Sequence, residues 1–224
     1  MFLNAYVCDI DNKTEGAWLY LPCTDDDLCS TLIRAGIEGN EYKISMYETD
    51  IDGLAENLTE YEDLEKLNTL TMSLSTLTDY GLEGYQALLQ LKRNEGIGRT
   101  GKTDTLIDYV FAIKDYQLLP MVQTYEDLAH CFVNEVKFCN VPEKTKKYIK
   151  YKELGEKIHA ESGGSFTKYG YIFLSSQFHH CHNNLTIHGG SQMKNKLLIF
   201  LLFALIISAF FYSREAVSQA QKLS

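Results

Sequence analysis

The sequence predicts an α+β protein of three successive small portions followed by a tail of different character. Short runs rich in Val, Tyr and Trp alternate with turn residues at the front, and leucines recur at helical spacing in the middle. A polar, His-rich stretch then separates a mixed third portion from an apolar run over 197–212. With 224 residues, 45% of them hydrophobic, the chain can build more than one core.

Leu3 to Cys8 and Ala17 to Leu21 read as two strands of a hairpin across a turn-rich Asp9–Gly16 connection, and Pro22 ends the second. Thr24-Asp25-Asp26-Asp27 has the form of a capping box, followed by Leu28, Leu32 and Ile33 on one helical face, with Gly36 as the stop. Tyr42 to Tyr47 supplies a third strand, which makes residues 1–58 an acidic ββαβ unit. A second box, Thr59-Glu60-Tyr61-Glu62, opens a helix carrying Leu64, Leu67, Leu70, Leu74 and Leu77 and ending near Asp79-Tyr80-Gly81. Leu82, Tyr85, Leu88 and Leu89 continue as another helix, so residues 59–103 form a helical middle portion.

Residues 104–173 read as mixed. Leu106, Ile107, Val110 and Phe111 share a helix face, and Thr124-Tyr125-Glu126-Asp127 opens a helix with Leu128, Cys131 and Phe132. Pro142 starts a Lys-rich helix through Ile158, Gly163-Gly164 breaks it, and Ser165 to Phe173 is a strand. A polar linker over 174–194 leads to an apolar helix over 195–213 and a short polar tail over 214–224.

Charge is unevenly spread. Residues 1–90 hold 18 acids against 4 bases, residues 91–173 hold 11 against 13, and residues 174–224 hold 1 against 4. Such a front half repels nucleic acid and attracts basic surfaces, so direct nucleic-acid binding is not expected and a basic protein partner is. Carboxylates three or four apart on a helix lie about 5 to 6 Å from one another, comparable with the phosphates of a nucleic-acid strand. An acidic face can therefore stand in for DNA before a protein that holds phosphates with Lys and Arg. The six cysteines form no C-x-x-C pair and no leader opens the chain, so a reduced, cytoplasmic setting is expected, with most of the cysteines buried. Trp18 and its flanking tyrosines are expected in the core.

Two motifs point elsewhere. Gly96 to Thr103, "GIGRTGKT", matches the phosphate-loop pattern and makes Gly101, Lys102 and Thr103 nucleotide-binding candidates under an alternative reading as an enzyme. That chemistry needs a buried strand before the loop, whereas Leu88 to Glu95 reads as an amphipathic helix end. The competing expectation is a helix-to-helix connector in which Thr103 caps the following helix. His179-His180-Cys181-His182 cannot all turn to one metal and has no second ligand pair at finger spacing, so no metal or cofactor is expected.

Tyr6-Val7-Cys8 followed by Gly16-Ala17-Trp18-Leu19-Tyr20-Leu21-Pro22-Cys23-Thr24-Asp25-Asp26-Asp27 resembles the opening of the ArdA antirestriction family. Tyr42 to Asp52, Tyr61-Glu62-Asp63-Leu64-Glu65-Lys66-Leu67-Asn68, Glu126-Asp127-Leu128-Ala129, Val141-Pro142-Glu143 and Gly163 to Tyr171 resemble its later landmarks in the same order, covering residues 3–173. The resemblance implies an elongated, non-catalytic homodimer of three small domains that imitates bent DNA. It implies that the protein occupies the DNA groove of the methyltransferase core of type I restriction-modification enzymes, protecting incoming mobile DNA. The carboxylates expected to carry the mimicry here are Asp25, Asp26, Asp27, Glu38, Glu41, Glu48, Asp50, Asp52, Glu56, Glu60, Glu62, Asp63 and Glu65.

Two departures from the family pattern stand out. Residues 91–173 are slightly positive, with Lys144, Lys146, Lys147, Lys150 and Lys152 close together, so a decoy concentrated in the front portion is expected, with either a weakened ability to block restriction or a narrower target. The tail is the other. Met193 begins a leader-like segment whose apolar run over 195–213 is either a membrane anchor or a leader joined to a truncated decoy; as an anchor it makes a membrane-tethered acidic interaction protein a further alternative.

Overall fold

Alternation of Leu3, Ala5 and Val7 with polar or amphipathic residues makes β1 (Leu3–Asp9) a strand with one buried face. It is the centre of an antiparallel sheet in the order β2-β1-β3, with β2 at Gly16–Leu21 and β3 at Tyr42–Thr49. Ala5 pairs with Leu19 and Tyr47, and the register slips between Tyr6 and Val7 where β3 is bulged. The computed structural model describes residues 2–10, 15–37, 39, 41–95, 102–135 and 142–176. The chain divides into two units, Met1–Asn184 and Leu185–Ser224, and all the described residues lie in the first.

Thr24 caps α1 (Asp25–Arg34) through the full reciprocal box: the Asp27 N–H donates to the Thr24 hydroxyl oxygen, and the Thr24 N–H donates to Asp27. The inward stripe of α1 runs through Leu28, Thr31, Leu32 and Ala35, so Ile33, expected on that face, lies off it and is 76% exposed. The second expected box does not open a helix. Thr59 does donate its N–H and hydroxyl to Glu62 Oε1, at 3.1 and 2.9 Å, but within a loop. Tyr47 Oη donates to the Thr59 carbonyl, the Ile44 N–H to that of Glu60, and Tyr42 Oη to that of Glu62, which straps this backbone to β3. Helix α2 (Leu64–Ser75) starts instead at an Asp63 cap whose carboxylate accepts the Glu65 and Lys66 N–H groups.

Asp79 to Gly81 do not end α2; they begin α3 (Asp79–Asn94) behind a Thr78 cap. This helix serves two cores. Tyr85 and Leu89 pack with the sheet, α2 and Leu106 and Val110 of α4 (Thr103–Ala112), whereas Ala87, Leu88 and Leu91 pack with Leu118 and Ile172. The first core is continuous across residues 58 and 103. Phe111, expected beside Val110 on the inner face, is 62% exposed because one step beyond Val110 carries it past the buried stripe.

A strand absent from the expected elements, β4 (Tyr116–Leu119), pairs with β6 (Gly170–Leu174), which also pairs with β5 (Ser165–Thr167). The expected single strand over Ser165 to Phe173 is therefore a hairpin. Gly170 makes it possible: its φ is +124°, and a Cβ there would lie 2.2 Å from the Leu119 carbonyl oxygen. Helix α5 (Tyr125–His130) has a complete Thr124–Asp127 box and continues into a wider turn over Cys131–Glu135. The expected Lys-rich helix is two, α6 (Glu143–Lys146) and α7 (Tyr151–Ser162), parted near Tyr148 and Ile149, weaker helix formers than the lysines beside them.

Candidate functional site

Eleven of the thirteen expected carboxylates are exposed: Asp25, Asp26, Asp27, Glu41, Glu48, Asp50, Asp52, Glu56, Glu60, Asp63 and Glu65. Glu38 lies outside the described residues, and Glu62 is buried, only 6% exposed. Glu60 and Glu62 also sit in the strapped loop, not in a first helical turn.

The exposed acids are not equivalent. Asp27 is turned back on its own helix, and the hydrogen bonds from Thr24 hold its carboxyl below the usual carboxylate range. Asp63 is occupied as the α2 cap, Asp50 accepts the Phe2 N–H at 2.8 Å, and Glu60 pairs with Lys43. Asp52 pairs with Lys168 at 2.9 Å, and this contact raises the Lys168 pKa above the ordinary lysine value. Asp25, Asp26, Glu41, Glu48, Glu56 and Glu65 carry no ion pair among the described residues. These six are the carboxylates most open to a basic partner.

Their placement follows from the fold. Asp25 and Asp26 project from the first turn of α1, where negative charge is favoured by the helix dipole. The turn leading into α1 is gripped by Asn68 of α2: the Cys23 N–H donates to Asn68 Oδ1 and Asn68 Nδ2 donates to the Cys23 carbonyl, both at 2.9 Å. Glu48 stands on β3 opposite Asn4. Asp50, Asp52 and Glu56 converge on a polar hollow of about 340 Å³ that Gln86, Lys168 and Tyr169 close from the other side. Gln86 Oε1 accepts both the Asp52 N–H and Tyr169 Oη, at 2.8 and 3.0 Å, and fixes that wall.

Acids outside the expected set extend the surface. Asp104 and Asp108 are exposed on α4, and Asp79 and Glu83 on α3. Asp104 reaches back to Lys66 of α2 at 2.6 Å. The four-residue spacing of Asp104 and Asp108, opposite Leu106 and Val110, is the signal that could have found them. Three of the rear lysines are partly neutralised, Lys146 by Glu143, Lys150 by Glu153 and Lys157 by Glu161.

The nucleotide-binding alternative meets a different geometry. Gly101 lies outside the described residues, Lys102 is the exposed cap of α4, and Thr103 is its first residue, not its cap. Thr103 is buried, and both its N–H and its hydroxyl donate to Glu62, so the hydroxyl that would hold magnesium is already committed to a carboxylate. The element leading toward the octapeptide is the helix α3 and not the strand a phosphate loop requires. Among the described residues no group of three or more His, Cys, Asp and Glu side chains could hold a metal ion; the cluster from His179 to His182 lies outside them. No described helix is long and apolar enough to cross a membrane, and the run over 195–213 also falls outside the described residues.

No curated protein matches the chain. A family profile described as Antirestriction protein (ArdA) matches residues 11–173, which takes in every helix described above, all thirteen expected carboxylates and every strand except β1 and the last residue of β6. The landmarks named in the sequence fall inside that span or just before it, and on this match the chain belongs to the ArdA family of antirestriction proteins.

Proposed function

We propose that this chain protects DNA as a decoy. Its front carboxylates take the places of phosphates in the DNA groove of a type I restriction-modification enzyme's methyltransferase core. The observation that carries the reading is the exposure of eleven of the thirteen expected acids on a framework that holds them in place. Lys and Arg side chains that gain free energy by releasing counterions from DNA gain it equally from such an array. The decoy acts in the cytoplasm, as a homodimer, without touching nucleic acid and without performing catalysis.

Competition tests it. Purified chain should displace a DNA duplex from the methyltransferase core at low salt, and the competition should weaken as salt rises. Failure to compete at about 50 mM salt, where such contacts are strongest, would sink the reading. Sedimentation of the free chain at two concentrations should show the dimer.

A further inference from the structure

The three-stranded sheet buries only one face. Leu3, Ala5, Val7, Leu19, Leu21 and Ile44 point into the core, and the register sets two rows on the other side: Trp18–Tyr6–Met46 and Tyr20–Asn4–Glu48. Tyr20 is 63% and Met46 56% exposed, while Tyr6 and Trp18 are half-buried against each other, ring centroids 5.2 Å apart, edge to face. Trp18 and its tyrosines are thus not core, contrary to expectation. They form a braced aromatic platform that can be covered at little cost in side-chain entropy.

Charge decides what covers it. Glu48 stands in the second row, and the surrounding portion carries 18 acids against 4 bases over residues 1–90. A second copy docking here would set like charge against like, and a nucleic acid or an anionic lipid surface would meet the same repulsion. A protein surface with an apolar centre and a rim of Lys and Arg meets both the platform and its border.

We infer that the outer face of the β2-β1-β3 sheet is a docking surface for the same basic enzyme that the carboxylates engage, anchored by Tyr20 and Met46. This rests on the decoy reading for the partner's identity. It adds to that reading a contact that salt does not screen, since burial of apolar surface is insensitive to the counterion release that governs the carboxylates.

The test uses the full chain and the purified methyltransferase core, with affinity measured from about 50 to 500 mM salt. Tyr20→Ser combined with Met46→Ser should weaken binding about tenfold or more at every salt concentration and leave the salt slope unchanged. Asp25→Asn with Asp26→Asn should instead reduce the slope. Both pairs are exposed, so each variant should keep a single cooperative urea transition. Wild-type affinity in the Tyr20/Met46 variant overturns the inference and leaves the decoy reading standing. Absence of binding by the unmodified chain overturns both. A variant that sediments as a smaller species than the unmodified chain would assign the face to self-association, which also overturns the inference.

Discussion

Glu62 is an acid by sequence and an internal clamp by structure. Its two carboxylate oxygens accept the N–H and hydroxyl of Thr59 and of Thr103, joining the loop after β3 to the start of α4. Glu62→Ala would strand the buried donors of Thr103 and the partly buried ones of Thr59, and a loss of about 3 kcal/mol in urea-unfolding stability is expected. Asp27, which is exposed, and Asp127, which is only partly covered, behave differently. Hydrogen bonds from Thr24 and Thr124 hold both carboxyls below their ordinary value, so the stability they contribute is present above the unfolded carboxylate pKa and lost as pH falls through the lower folded one. Thermal midpoints should therefore fall below about pH 4, and the fall should shrink in a variant carrying Asp27→Asn and Asp127→Asn. At this scale the sequence announced which residues are acidic and where boxes cap helices. It could not announce that Glu62 turns inward, because its partner Thr103 lies 41 residues away and only tertiary packing unites them.

Elements were most legible where a single face decides them. The leucines of α2 name their buried stripe outright, and Leu67, Leu70 and Leu74 are almost completely enclosed, each worth about 2 kcal/mol of burial. Short elements were not. β4 has four residues, and its alternation is too brief to stand out beside the helix that precedes it. Two junctions between elements invite mutation. Asn68→Ala removes both hydrogen bonds to Cys23; about 2 kcal/mol of stability and faster amide exchange through the turn before α1 are expected. Where α7 crosses the start of α5, a Cβ on Gly155 would lie 1.8 Å from the Tyr125 carbonyl oxygen, closer than any backbone shift of a few tenths of an ångström can relieve. Gly155→Ala should cost about 3 kcal/mol, read as a lowered urea midpoint with the crossing forced apart.

For the molecule as a whole, the division of charge between residues 1–90 and 91–173 was plain in the sequence, but its surface meaning was not. Ion pairs in and beside α6 and α7 partly neutralise three of the rear lysines, while Asp104 and Asp108 carry acidity beyond the front half. Asp25, Asp26 and Asp27 occupy successive positions at the start of a helix that Asn68 and the Thr24 box do not allow to swing away. A flexible acidic tail could spread such charges apart until a partner arrives; here the 18 acids and 4 bases of residues 1–90 are held together in the native state, where their net self-repulsion is kept as electrostatic tension. Added salt relaxes that tension and at the same time blunts the attraction to a basic groove. One salt titration should therefore move two quantities in opposite directions, raising the urea midpoint of the free protein while lowering its affinity for the enzyme.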